Sequence, residues 1–247
     1  MFTRHDLEQL DRLLYSRADR VVPMRDVWKG DTAAGAIGLR HDVDDNPGSF
    51  DTALAMAEWE MRRGYSSTWF LLHDSHYWTQ DNLARTVEFE EMGHEVAIHV
   101  NGIAEALRQN RDPVAIVAEA LAELREFVRV EGCVAHGDPW CYRNRKGFGP
   151  LDFVNDEMWL ESQRPDMGDP CRIVSHDGVH VPIAPVSRVE LGLGYDASWL
   201  SRGMYLSDSG GGWSPPLYEI AEAFGNGQLH VLQHPDHWLS VFEAVPV

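Results

Sequence analysis

The sequence predicts an α/β protein built on a parallel sheet, and three observations lead there. Apolar runs of strand length alternate with amphipathic runs of helix length along most of the chain, as βαβ units require. The 247 residues are enough for one α/β barrel, which takes roughly 250. Several apolar runs stop abruptly at His or Asp, and parallel folds gather the carboxyl ends of their strands on one face. No linker, repeat or low-complexity tract breaks the pattern, so residues 1–247 are read as a single domain.

Leu7, Leu10, Leu13 and Leu14 recur at helical spacing and predict an amphipathic first helix. Ala36-Ile37-Gly38-Leu39 reads as a buried strand that ends in the polar cluster Arg40-His41-Asp42-Val43-Asp44-Asp45. Asn46-Pro47-Gly48-Ser49 is a turn, with Ser49 the expected N-cap of a helix through Ala53, Ala57 and Met61 to a capping Gly64. The cycle repeats with a strand over 67–72, a helix over 81–92 closed by Gly93, and a strand over 95–100. Asp112-Pro113 opens a long helix over 112–130, since Pro suits the first helical position. A short strand over 133–136, a helix over 215–224 and a last strand over 229–234 complete the reading. The stretch from Trp140 to Trp213 is less regular, rich in Gly, Pro and aromatic residues.

Hydrophobic residues at 44% and charged residues at 24% exclude a disordered chain. Lys and Arg number 21 against 39 Asp and Glu, a formal charge of −18. Such a surface repels phosphate backbones and anionic lipid, so no nucleic-acid partner is expected. No apolar run approaches the ~20 residues that span a bilayer. The first residues carry no secretory pattern, and Cys133, Cys141 and Cys171 are odd in number and lack zinc-ribbon spacing. Reduced thiols and a cytoplasmic location are the expectation.

The chemistry is expected at the strand ends His41-Asp42-Val43-Asp44, His99, His136 and His234. Buried imidazoles and carboxylates need partners, so packing alone explains four such ends poorly. Two His and one carboxylate form a common set for a catalytic divalent ion, which acidifies bound water and polarises a carbonyl. Asp42 and Asp44 are two apart and point the same way on a strand, so one can hold the ion while the other takes a proton. His94, five residues before His99, should face the opposite side.

Five segments carry a family resemblance: Leu39-Arg40-His41-Asp42-Val43-Asp44, Gly93-His94-Glu95-Val96-Ala97-Ile98-His99, Ala135-His136-Gly137-Asp138-Pro139, Tyr205-Leu206-Ser207 continuing as Asp208-Ser209-Gly210, and Leu232-Gln233-His234-Pro235. In this order and spacing the chain resembles the polysaccharide deacetylase superfamily, the NodB-homology group that includes the family 4 carbohydrate esterases. It is most similar to a bacterial branch with an RHDVD signature. The resemblance implies a distorted or incomplete (β/α) barrel with one divalent metal ion, zinc being expected, at the carboxyl strand ends. It carries the general base onto Asp42 and the metal carboxylate onto Asp44. Asp45 competes for the second role because Val43 is inserted relative to the usual adjacent pair. His99 matches the first His of the second motif. The second would fall at Ile103, and His136 offers the replacement. His234 matches the His that assists the leaving group, and either Arg40 or Arg143 would orient the base.

The implied activity is hydrolysis of the amide of an N-acylated sugar, releasing acetate, in surface-polysaccharide biosynthesis. The implied substrate is a small nucleotide-linked or a lipid-linked sugar. Arg143, with Arg145 and Lys146, forms a basic cluster suited to its anionic part, and Trp140 and Trp213 are the expected stacking residues. His73, His76, His176, His180, His230 and His237 are read as structural or surface residues. Two alternatives stand beside this reading: a hydrolase of another amide or ester on the same scaffold, and a non-catalytic carbohydrate-binding protein.

Overall fold

The computed structural model describes residues 1–30, 35–144, 149–162, 172–176, 178–200, 203–225 and 227–242. Helix α1 (Arg4–Leu13) opens the chain behind a capping box. Thr3 Oγ1 accepts from the Asp6 N–H, and the Asp6 carboxylate accepts from the Thr3 N–H. Next come β1 (Arg20–Val22), α2 (Met24–Lys29), β2 (Ala36–Val43), α3 (Ser49–Met61) and β3 (Thr68–Leu72). Helices α4 (Gln80–Arg85) and α5 (Val87–Glu91) lead to β4 (Glu95–Val100). Helices α6 (Gly102–Gln109) and α7 (Pro113–Leu124) lead to β5 (Gly132–Ala135). An antiparallel hairpin follows, β6 (Arg172–His176) with β7 (Val179–Ile183), then β8 (Tyr195–Asp196) and β9 (Met204–Ser207). Helix α8 (Leu217–Ala223), β10 (Leu229–Gln233) and α9 (Leu239–Phe242) close the described chain.

The main sheet runs β8-β5-β4-β3-β2-β10-β9, with β1 beside the first half of β2. Every pair in it is parallel, and the sheet curls into a half-barrel. The period-2 alternation of strands splits its side chains between two cores. Ile37, Leu39, Val43, Trp69, Leu71, Val96 and Ile98 join the large core under the helices. Phe70, Ala97, Val134 and Tyr195 form a smaller one with Met24 and Ala197. Arg40 extends toward that second side, its guanidinium 5.9 Å from the Phe70 ring centre. The register pairs Leu72 with His99, His99 with Val134 and Gln233 with His41. Asp44, His73, Asn101, His136, Asp208 and His234, each the first residue past its strand, therefore share one edge.

Local expectations differ from the structure at four places. Gly48 (φ +82°) is the N-cap of α3, and Ser49 is its first helical residue. The helix expected over 81–92 is two helices, broken at Thr86, whose hydroxyl donates to the Leu83 carbonyl at 2.6 Å. The helix expected over 112–130 stops at Leu124, capped at its start by Asp112 as the sequence suggests. Beyond it the Arg125 guanidinium donates to the carbonyls of Val130, Leu191 and Gly192, which stabilises a turn in place of further helix. The irregular stretch after Trp140 contains the β6–β7 hairpin and strands β8 and β9. Gly64 (φ +74°) does close α3, with the Tyr65 N–H reaching back to the Glu60 carbonyl. Cys133 is a free thiol, Cys133 and Cys141 are both buried, and Cys171 lies outside the described residues. No helix among the described residues is long and apolar enough to cross a membrane.

His41 belongs to the packing and not to the polar strand end in which the sequence placed it. Its ring stacks on Trp69 at 3.8 Å, and its Nε2 lies 2.8 Å from Glu60 Oε1 under the helices. Ser67 Oγ donates to Glu60 Oε2 at 2.6 Å, and the Ser67 N–H donates to His94 Nδ1 at 3.1 Å. All four residues are buried. Glu60→Ala should therefore cost about 3–5 kcal/mol, because it strands buried partners of a charge. Urea unfolding measures this, and a loss below ~1 kcal/mol would mean that the network contributes little.

Candidate metal centre

Strand β2 delivers two carboxylates in register. Asp42 is its penultimate residue, and Asp44 lies just beyond its end, so both project to the same side. His99 on the neighbouring part of the sheet meets them. Its Nε2 is 3.4 Å from Asp44 Oδ1 and 3.9 Å from Asp42 Oδ2. His99 Nδ1 is 3.1 Å from the Val134 carbonyl, an acceptor that holds the proton on Nδ1 and leaves Nε2 toward the carboxylates. His136 follows β5, tied by its N–H to the Val100 carbonyl at 2.8 Å. Its Nε2 is 3.5 Å from Asp44 Oδ1, and the His99 and His136 ring centres are 4.9 Å apart.

These three side chains fit a divalent ion. One ligand atom from each lies within 4.8 Å of the others. A tetrahedral ion with bonds of about 2.0–2.1 Å separates its ligand atoms by roughly 3.3–3.4 Å, close to both Asp44–His distances. Asp44 Oδ1 is buried and lacks a hydrogen-bond partner, as do Asp42 Oδ1 and His136 Nδ1. Buried polar atoms are seldom left so, and a cation would satisfy the carboxylates.

The electrostatics point the same way. Burial alone would raise the Asp44 pKa, but the nearby His99, with the charges of His136 and His234, holds it well below the usual carboxylate range. Burial would lower that of His99, yet Asp42 and Asp44 raise it, so the two acids create a field that favours positive charge. Burial, with the charge of His99, lowers His136 to about 4, which leaves a neutral imidazole at pH 7.

A second group, Asp208, His234 and His237, also lies within 4.8 Å. Here the carboxylate is already filled. Asp208 Oδ1 pairs with His234 Nδ1 at 2.6 Å, while Oδ2 accepts from the His234 N–H at 3.0 Å and Trp238 Nε1 at 2.9 Å. Burial would lower the His234 pKa, but Asp208, with Asp42 and Asp44, raises it to about 9. This pair is built to hold a proton, with His234 Nε2 left as the free donor. His237 lies beside it, its ring centre 5.5 Å from that of His234.

The other site candidates separate. Asp45 is exposed and paired with His76. Arg40 Nη2 is 3.5 Å from Asp42 Oδ2, whereas Arg143 is exposed and paired with Asp152 at 3.0 Å. Arg145 and Lys146 lie outside the described residues. Trp140 packs against His176 (3.9 Å) and under Arg108 (5.0 Å). Trp213 packs against Phe2 and Trp238 at 5.0 and 6.0 Å. Both rings thus have protein neighbours. Ile103 is fully buried in the large core. His73 Nε2 accepts the Asn101 N–H at 2.9 Å, and burial with the charges of His99 and His136 lowers it to about 3.

Sequence reasoning gave no role to Asp208, although it ends β9 as the other acids end their strands. Applying the strand-end rule there would have found it. Asn101 and Asn155, whose bonds reach His136 and its loop, carry no such signal. The chain matches no family model, and no curated protein or solved structure gives a significant match.

Proposed function

We propose that the protein is a metal-dependent hydrolase of the polysaccharide deacetylase type, which removes an acetyl group from an N-acylated sugar. The observation that carries this reading is the meeting of Asp44, His99 and His136, from three strand ends, at the buried Asp44 Oδ1, which makes no hydrogen bond. A divalent ion, zinc by its N/O ligand chemistry, would supply a Lewis acid and an acidified water there. Asp42, with Arg40 beside it, takes the proton of the attacking water. His234, protonated at neutral pH and oriented by Asp208, donates a proton to the departing nitrogen as the C–N bond breaks. The products are acetate and a free amine.

A nucleotide- or lipid-linked sugar is the substrate class that follows, with acetate release from a panel of N-acetylated nucleotide sugars as the assay. Asp42→Asn should keep about one bound ion per chain and lower turnover by at least ~100-fold, the scale of general-base catalysis. Undiminished turnover in that variant would remove Asp42 as the base. Tight ion binding without acetate release from any amide or ester would favour the non-catalytic reading.

A further inference from the structure

We propose that Asn155 is a positioning residue of this centre, whose buried side-chain amide fixes the His136 backbone so that its imidazole meets Asp44. The inference rests on the reading of His136 as a metal ligand.

Of the three proposed ligands only His99 lies within a strand, so His136 needs support from outside the sheet. It lies past the end of β5, so no strand ladder holds it beyond its N–H bond to Val100. Its carbonyl is held from the other side by Asn155 Nδ2 at 2.9 Å. The same nitrogen donates to Asn101 Oδ1 at 2.8 Å, with Cys141 Sγ farther off at 3.6 Å. Asn155 Oδ1 accepts the N–H groups of Ile103 and Ala104 at 3.0 and 3.2 Å. Both amide hydrogens and both carbonyl lone pairs are thus used, in a residue with no exposed surface. The orientation of the amide is unambiguous, because a flipped group would set NH2 against two N–H donors.

The consequences reach two strand ends at once. Helix α6 receives no cap from its own Asn101 side chain, and Asn155 supplies one from a distant segment. Asn101 is then free to bridge Asp74 Oδ2 (2.7 Å) and Asp138 Oδ2 (2.8 Å). Arg108 closes the network on Asp138 at 2.6 Å. The loop that carries His136 is therefore pinned at its carbonyl and, two residues on, at Asp138. A ligand fixed in this way loses little freedom when it binds an ion, which is how supporting hydrogen bonds raise metal affinity.

Asn155→Asp tests the idea with little change of shape. It keeps an acceptor for the α6 N–H groups and sets an oxygen against the His136 carbonyl. Wild type and variant, freed of metal by chelation, are titrated with Zn2+ by calorimetry and with Co2+ by visible absorption, well below their melting temperatures. The expected result is an affinity about 10–100-fold weaker in the variant, with a changed Co2+ spectrum. A role in stability alone would lower the melting temperature and leave both the affinity and the spectrum at wild-type values, which overturns the proposal. If Asn155→Asp does not fold, Asn155→Ser, which shortens the side chain and breaks the reach to His136, carries the same expectation. Absence of ion binding by the wild type would instead remove the metal reading itself, a distinct outcome.

Discussion

His99→Ala is expected to abolish stoichiometric binding of a divalent ion, weakening affinity by more than about 100-fold. His99 is the imidazole that faces both acids, at 3.4 and 3.9 Å, and its geometry is set from behind by the Val134 carbonyl. Removing it leaves one imidazole and two carboxylates with no fixed arrangement around the same point. Thermal melting in the presence of Zn2+ gives a direct reading. An ion at 100 times its dissociation constant stabilises the native state by about 2.7 kcal/mol. The wild-type melting temperature should therefore rise with added Zn2+, while that of the variant should stay fixed. A wild-type protein indifferent to Zn2+, Co2+ and Mn2+ would sink the reading of this centre as a metal site.

Asp208→Asn should have the second largest effect, and its pH dependence identifies the cause. Asp208 has no exposed surface and accepts three hydrogen bonds, two from His234 and one from Trp238. It is the main reason, against burial, that His234 titrates near 9. A folded-state pKa raised above the unfolded value of about 6.5 means stability that is fully present below pH 6.5. It is lost progressively as pH rises through about 9. The shift corresponds to about 3 kcal/mol at most. The stability gap between wild type and variant should be widest near pH 6 and narrow markedly by pH 10. Nuclear magnetic resonance should show the His234 titration moving down toward the ordinary histidine range. A gap of equal size at both pH values would mean that Asp208 acts through packing and the Trp238 bond alone. Under the proposed mechanism the variant also loses its imidazolium at neutral pH, so turnover should fall most on the alkaline side.

Much of the sheet was legible because buried parallel strands and amphipathic helices leave strong local patterns. β2, β3, β4 and β10 are apolar runs closed by polar residues, and both Gly64 and Gly93 stop helices by adopting positive φ. Helix α6 was not legible for a definite reason. It begins on Asn101-Gly102, a sequence suited to a turn, and its capping oxygen comes from Asn155. The break at Thr86 turned on one hydroxyl, and the early end of α7 on one guanidinium. Such bonds have no periodicity to read.

The strand-end rule located Asp42, Asp44, His99, His136 and His234, because in a parallel sheet chain direction alone puts those residues on one edge. It overreached at His41, where alternation sends the side chain beneath the helices to Glu60. Alternation favoured Asp44 over Asp45, because residues two apart on a strand face the same side. In the structure Asp45 is paired with His76. The strand-end rule was silent between Arg40 and Arg143. Burial beside Asp42 separates them in the structure, where Arg143 is turned outward to Asp152.

The sequence by itself determined the class of fold, the edge where reactive groups collect and the excess of negative charge. Those follow from residue type and spacing, which are local properties of the chain. Only the tertiary structure decided which imidazoles share a carboxylate, which acid already holds its partners and which amide supports His136. Each of those depends on distances of a few ångströms between segments far apart in the chain, and hydrogen bonds and metal coordination are sensitive on that scale.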